Sequence, residues 1–124
     1  MDVALWVAQV VLAAIFGGAG VIKATQPLDA LRKKVGGWVD DVPLALIRVV
    51  GILEVVAAVG LLLPPLLDVA PALAWLAAAG LAVIMAGAVV LHARRSEWPN
   101  VIVNLGLGLV AVFVVWGRTG PHPF

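Results

Sequence analysis

Four apolar stretches, residues 3–22, 44–63, 69–92 and about 99–117, dominate this chain. Each is close to the roughly 20 residues that cross a hydrocarbon core as an α-helix. They show no apolar/polar alternation, and a membrane barrel needs about eight short alternating segments, so strands are excluded. Of 124 residues, 64% are hydrophobic and 12% charged, whereas soluble domains run near half and a quarter. The expected fold is therefore all-α, an integral membrane four-helix bundle forming one domain over residues 1–124, with linkers at 23–43 and 93–98.

The borders of the runs carry helix start and stop signals. Asp41 and Pro43 precede the second run, Pro64-Pro65 is expected to end it, Asp68 and Pro71 open the third, and Ser96 with Pro99 opens the fourth. The first run lacks a basic flank and is long for a signal peptide, so it is expected to be a retained helix. Basic residues concentrate in the first linker (Lys23, Arg32, Lys33, Lys34) and the third (Arg94, Arg95), against Arg118 alone on the other side. Positive-inside then predicts a plasma or inner membrane protein with cytoplasmic linkers and both termini outside. Trp6, Trp38, Trp75, Trp98 and Trp116 fall near helix ends, as an aromatic belt requires. In the first linker Leu28, Leu31 and Val35 recur at helical spacing beside three basic residues, which suits a short helix on the leaflet or a solvated linker.

The stretch "RVVGILEVV" places Arg48 and Glu54 inside the second run. Each Leu, Ile or Val at a helix centre contributes roughly −0.3 to −0.6 kcal/mol to insertion, and a charge costs roughly 2.5 to 3.5 kcal/mol. The thirteen Leu, Ile and Val residues of this run therefore supply about −4 to −8 kcal/mol, most of which the two charges cancel. Arg48 and Glu54 must face protein or a watered cavity, unless Arg48 snorkels and Glu54 is protonated. At about 1.5 Å per residue, Arg48 lies roughly 6 Å and Glu54 roughly 15 Å from the linker side. Asn104 is expected near the depth of Arg48, Lys23 at the inner surface and Gln9 slightly beyond Glu54.

Helical rotation aligns Gln9, Ala13, Phe16, Gly20 and Lys23 on the first helix and Asn100, Asn104 and Gly108 on the fourth. Arg48, Gly51 and Glu54 share one sector of the second. Turning these faces inward makes a bundle with a polar interior open to the cytoplasm. Glu54 is the candidate catalytic group, and Gln9, Lys23, Arg48 and Asn104 are candidate ligand contacts. Plainer roles stand beside these: snorkelling or holding Glu54 for Arg48, interfacial anchoring for Lys23, interhelical hydrogen bonding for Gln9 and Asn104. His92 is expected at the interface, His122 in a fraying tail, and the glycines of "FGGAG" and "NLGLG" at close packing.

"FGGAGVIKATQP", "RVVGILEVVAAVGLLLP" and "EWPNVIVNLGLGLVAVFVVWGR" resemble corresponding blocks of the DoxX-like family of small four-helix membrane proteins, over roughly residues 3–118. The resemblance implies that Lys23, Arg48, Gly51 and Glu54 are the family's recurrent polar and glycine positions, with Asn104 in its last-helix polar block. It also implies a link to membrane oxidoreductase systems, including a small subunit of a thiosulfate:quinone oxidoreductase and a component of a superoxide-detoxifying assembly.

The residues limit what such a role can use. The chain has no cysteine, two histidines and no nucleotide-binding glycine loop, so no protein-held metal or haem is expected. Its basic residues are not patterned for nucleic acid. A cofactor would come from a partner or a dissolved quinone. Three functions follow as expectations: a small redox-complex subunit binding a quinone or other lipophilic molecule; an isomerase, cyclase or epoxide-opening enzyme with Glu54 as general acid or base; and a non-catalytic subunit of a larger assembly or homo-oligomer.

Overall fold

The protein is described as a computed structural model covering residues 2–123. Its elements in order are α1 (Asp2–Thr25), α2 (Leu28–Val35), a 3-10 helix (Gly37–Asp41), α3 (Leu44–Leu67), α4 (Leu73–Arg94) and α5 (Trp98–Thr119). Among the described residues there is no strand. The long helices α1, α3, α4 and α5 are each apolar and long enough to cross a bilayer, and only 17% to 33% of each apolar window is buried within the protein. The remaining faces present Val7, Val11, Ile52, Val56, Leu76, Val83, Ile102 and Leu109 outward. Such a surface is stable against acyl chains and not against water.

The long helices form a ring in which α1 packs mainly on α3 and α4 mainly on α5, with the α3–α4 and α5–α1 seams closing it. Away from the linkers Leu12, Phe16, Ala58, Leu61, Ala78, Leu81, Ala111 and Val114 pack into one buried cluster. Small residues set the closest approach. A Cβ on Gly20 would lie 2.5 Å from the Gly51 carbonyl oxygen, and one on Gly51 would lie 2.8 Å from both the Ala24 nitrogen and the Gly20 oxygen. At this crossing backbone meets backbone, the use to which membrane helices put glycine.

The third helix continues past Pro64-Pro65, where the sequence signals an end, and closes only at Leu67 on a left-handed Asp68. A proline removes its own N–H and leaves the carbonyl four residues earlier without its helical donor, so Pro65 orphans the carbonyl of Leu61. Gln9 of α1 fills that place, its Nε2 donating to the Leu61 oxygen at 2.7 Å. Neighbouring helices rescue prolines in membranes in this way. The α4 helix starts at Leu73 rather than near residue 69, because Asp68 and Ala70 adopt positive φ and the chain turns there.

Between α1 and α3 the linker folds back as a hook. Leu31, Val39 and Ile47 are buried together, with Ile22, Leu28, Val35, Trp38 and Val42 around them. The apolar face of α2 thus packs on protein. Arg32 bridges Asp29 and Asp40, and Arg95 reaches Asp41 from the α4–α5 turn.

Two predictions follow from this packing. Gly51→Ala should lower stability in detergent by about 1–3 kcal/mol by forcing α1 and α3 apart, read as a fall in thermal midpoint with helicity retained. The Arg32 hydrogen bonds hold the Asp40 carboxyl below its ordinary range, so its contribution is complete above the unfolded-state pKa and disappears as pH falls through the folded one. Amide exchange across residues 28–41 should accordingly quicken in acid, and Asp40→Asn should produce the same quickening at neutral pH. Equal exchange in the variant and the parent at neutral pH would count against the hook.

Candidate functional site

Glu54 is fully buried at the α1–α3 crossing, one helical turn beyond Gly51. Its partner is Lys23, whose Nζ donates to Oε1 at 2.9 Å. Arg48 does not touch the carboxylate. Its Nη1 donates instead to the Lys23 carbonyl oxygen at 2.9 Å, satisfying an acceptor near the end of α1. The close crossing explains the pairing: with Gly20 and Gly51 in contact, Lys23 stands three residues further along α1 and curls back toward Glu54. The carboxylate's other oxygen has no hydrogen bond among the described residues.

Next to this pair the two halves of the bundle separate. A cavity of about 370 Å³ lies between α3 and α4, walled by Leu46, Ile47, Val50, Ile84, Met85 and Ala88. A second, of about 300 Å³, lies between α1 and α5 beside Ala19, Asn100 and Val103. Both are lined by Lys23, Trp38, His92 and Asn104, so these four side chains form a shared polar end. Exposed Leu46 and Val103 stand at the two seams, which therefore face the lipid. Of the candidate residues, Lys23 and Asn104 line this space, whereas Glu54, Arg48 and Gln9 do not.

Two residues of the polar end were assigned to the interface from sequence. Trp38 roofs the cavities, its Nε1 donating to the Val35 carbonyl at 2.9 Å, with the His92 ring 5.9 Å away edge-to-face and Lys23 Nζ 5.9 Å from its centroid. His92 is buried, with Nδ1 2.8 Å from Glu97 Oε1. Arg95 Nε also donates to that oxygen at 3.1 Å. These hydrogen bonds, His92 first and then Arg95, hold the Glu97 carboxyl below its ordinary range. A histidine and glutamate five residues apart across a helix-ending turn were the available signal.

Gln9 belongs to the far end. Besides donating to Leu61, it accepts a hydrogen bond from Arg118 Nε at 2.9 Å. Arg118 is itself buried, pairs with Asp2, donates to the His122 carbonyl at 3.0 Å and lies 5.4 Å from the Trp6 ring. The carbonyl of His122 is thus engaged, in a tail expected to fray. Counted in sequence as a flanking charge, Arg118 instead ties α1 to α5.

Four apolar helices wrapped around a few buried charges make this a small multi-pass membrane protein. The chain belongs to the DoxX-like family, whose model matches residues 7–114. No curated protein and no solved structure matches it. The described residues contain no cluster of three or more histidine, cysteine, aspartate or glutamate side chains able to hold a metal.

The Gln9 network can be dissected by a double-mutant cycle. Gln9→Leu strands both the Leu61 carbonyl and part of Arg118, and should cost about 1–3 kcal/mol. Pro65→Ala restores an N–H for Leu61, so it should be markedly less destabilising, or stabilising, in the Gln9→Leu background than in the parent. Additive effects would show that Gln9 does not serve that carbonyl.

Proposed function

We propose that this protein is a small subunit of a membrane redox system and binds a quinone head group in the space between the α1–α3 and α4–α5 pairs. The observation that carries this reading is the apolar cavity ending on Lys23, His92 and Asn104 under the Trp38 ring. Quinones need a flat apolar slot, a few donors for their carbonyl oxygens and access from lipid, and the cavity offers each. Asn104 and Lys23 supply donors, the aliphatic walls hold the ring, and the two lateral seams admit an isoprenoid tail.

Glu54 sits behind Lys23 and outside both cavity linings, which supports a positioning role over the general-acid role. It fixes the ammonium against the cavity and offsets its charge in the membrane. Arg48 steadies the same lysine from its backbone side. With no metal-binding cluster among the described residues, electrons would come from a partner's cofactor. The basic character of the hook, with Lys33 and Lys34 exposed, supports a cytoplasmic location for the polar end.

A variant retaining Trp38 as its single tryptophan reports on this site directly. Short-chain naphthoquinone should quench it saturably, and Asn104→Leu should weaken binding roughly tenfold, as expected for one lost hydrogen bond. Glu54→Gln should weaken it by a similar factor while the protein stays folded. Linear, non-saturating quenching that is identical in all three proteins would remove the quinone site.

A further inference from the structure

The quinone reading uses His92 only as lining, yet the ring is held as a base would be. A carboxylate oxygen can only accept, so the 2.8 Å contact with Glu97 assigns the proton to Nδ1 and the lone pair to Nε2; the amide nitrogen of Asn100 lies 3.5 Å from the same Nδ1. No hydrogen bond from the described residues reaches Nε2, and the ring lines both cavities. Glu97 is in turn kept a carboxylate by His92 and Arg95, and can stabilise an imidazolium. The wall provided by α1 and α3 complements this base. Lys23 stands there paired with Glu54, and behind it, outside both linings, Arg48 donates to the Lys23 carbonyl and makes no ion pair among the described residues. Two cations against one carboxylate leave a net positive charge behind this wall, which favours an anion near Lys23.

We propose that the polar end, entered from the α3–α4 cavity, binds a flat amphiphile bearing a weakly acidic hydroxyl, a phenol or an enol, and holds it as the oxyanion. The ligand O–H bond breaks and an N–H bond forms at His92 Nε2. The electron pair stays on the ligand oxygen, which pairs with the Lys23 ammonium, and no electron changes hands. Lys23 and His92 each lie 5.9 Å from the Trp38 ring and both line the α3–α4 cavity, where a head group would meet them. Other groups around His92 leave this chemistry available: Asn100 and Asn104 of α5 are neutral, and Arg95 is occupied by Glu97 and Asp41. Such binding presupposes that the cavity is a ligand site, as in the proposed function, but not that its ligand is a quinone.

The test uses the full chain in phosphatidylcholine nanodiscs with an alkylated 4-nitrophenol, whose phenolate absorbance reports ionisation, and with the O-methyl ether of the same probe. The bound phenol should ionise at lower pH than in protein-free nanodiscs and bind roughly tenfold tighter than the ether near neutral pH. His92→Gln should return ionisation toward the protein-free value. Glu97→Gln, at the partly exposed end of the dyad, should do so in part and serves if His92→Gln fails to fold. Gly87→Trp, where an added side chain meets open space at the cavity wall, should abolish binding of both probes. Unshifted ionisation of a bound phenol, or unchanged behaviour of both dyad variants, overturns the oxyanion site; if Gly87→Trp still blocks the ether, the cavity survives as a ligand site. If neither probe binds, both readings fall; phenol binding indifferent to Gly87→Trp overturns the oxyanion site, because Gly87 lines the α3–α4 cavity alone.

Discussion

A lysine and a glutamate that meet inside a membrane bundle constrain everything around them. In hydrocarbon neither charge can be left to solvent, and separating them would strand both. The Lys23–Glu54 contact at 2.9 Å therefore requires α1 and α3 to cross closely at the right depth, which Gly20 and Gly51 permit by bringing backbone against backbone. The crossing in turn presents the Lys23 carbonyl to Arg48 and its ammonium to the interior. Because α1 and α3 lock together here, the facing pair α4 and α5 can stand away at the linker end, and the cavities are the consequence.

At the opposite end the same rule, that polar groups must be satisfied within the protein, is met by different means. Pro65 withholds a donor from Leu61, Gln9 supplies one, and Arg118 occupies the remaining oxygen of Gln9. One glutamine thereby connects three helices. This end is tied by polar contacts between helices, whereas the Lys23 end borders the two cavities.

Much of this was legible in the residues. The spans follow from apolar length, and the need for a partner to Glu54 follows from its insertion cost alone. Its choice of Lys23 over the nearer-looking Arg48 was not legible, because rotation places Arg48 and Glu54 on one sector of the same helix but cannot show that Lys23 bends back from another. For Gln9 the sequence offers both a ligand contact and an interhelical hydrogen bond, and its partners Leu61 and Arg118 accord with the second. Proline's missing N–H was visible in sequence; the helix continuing through it was not, because that depends on a donor from elsewhere in the bundle. Trp38 and His92 carry the signature of interfacial residues; the folded-back linker, pinned by Arg95 on Asp41, lays Trp38 over the cavities, and Glu97 holds His92 in their lining.

The two seams bear on how the proposed ligand would fill the space. A ligand entering through gaps between α3 and α4 or between α1 and α5 would be drawn from the bilayer, so its mole fraction among the lipids, rather than its aqueous concentration, would set occupancy. A molecule too dilute to detect in the surrounding water could then saturate the site, and dilution of the membrane with inert lipid would empty it at constant total ligand.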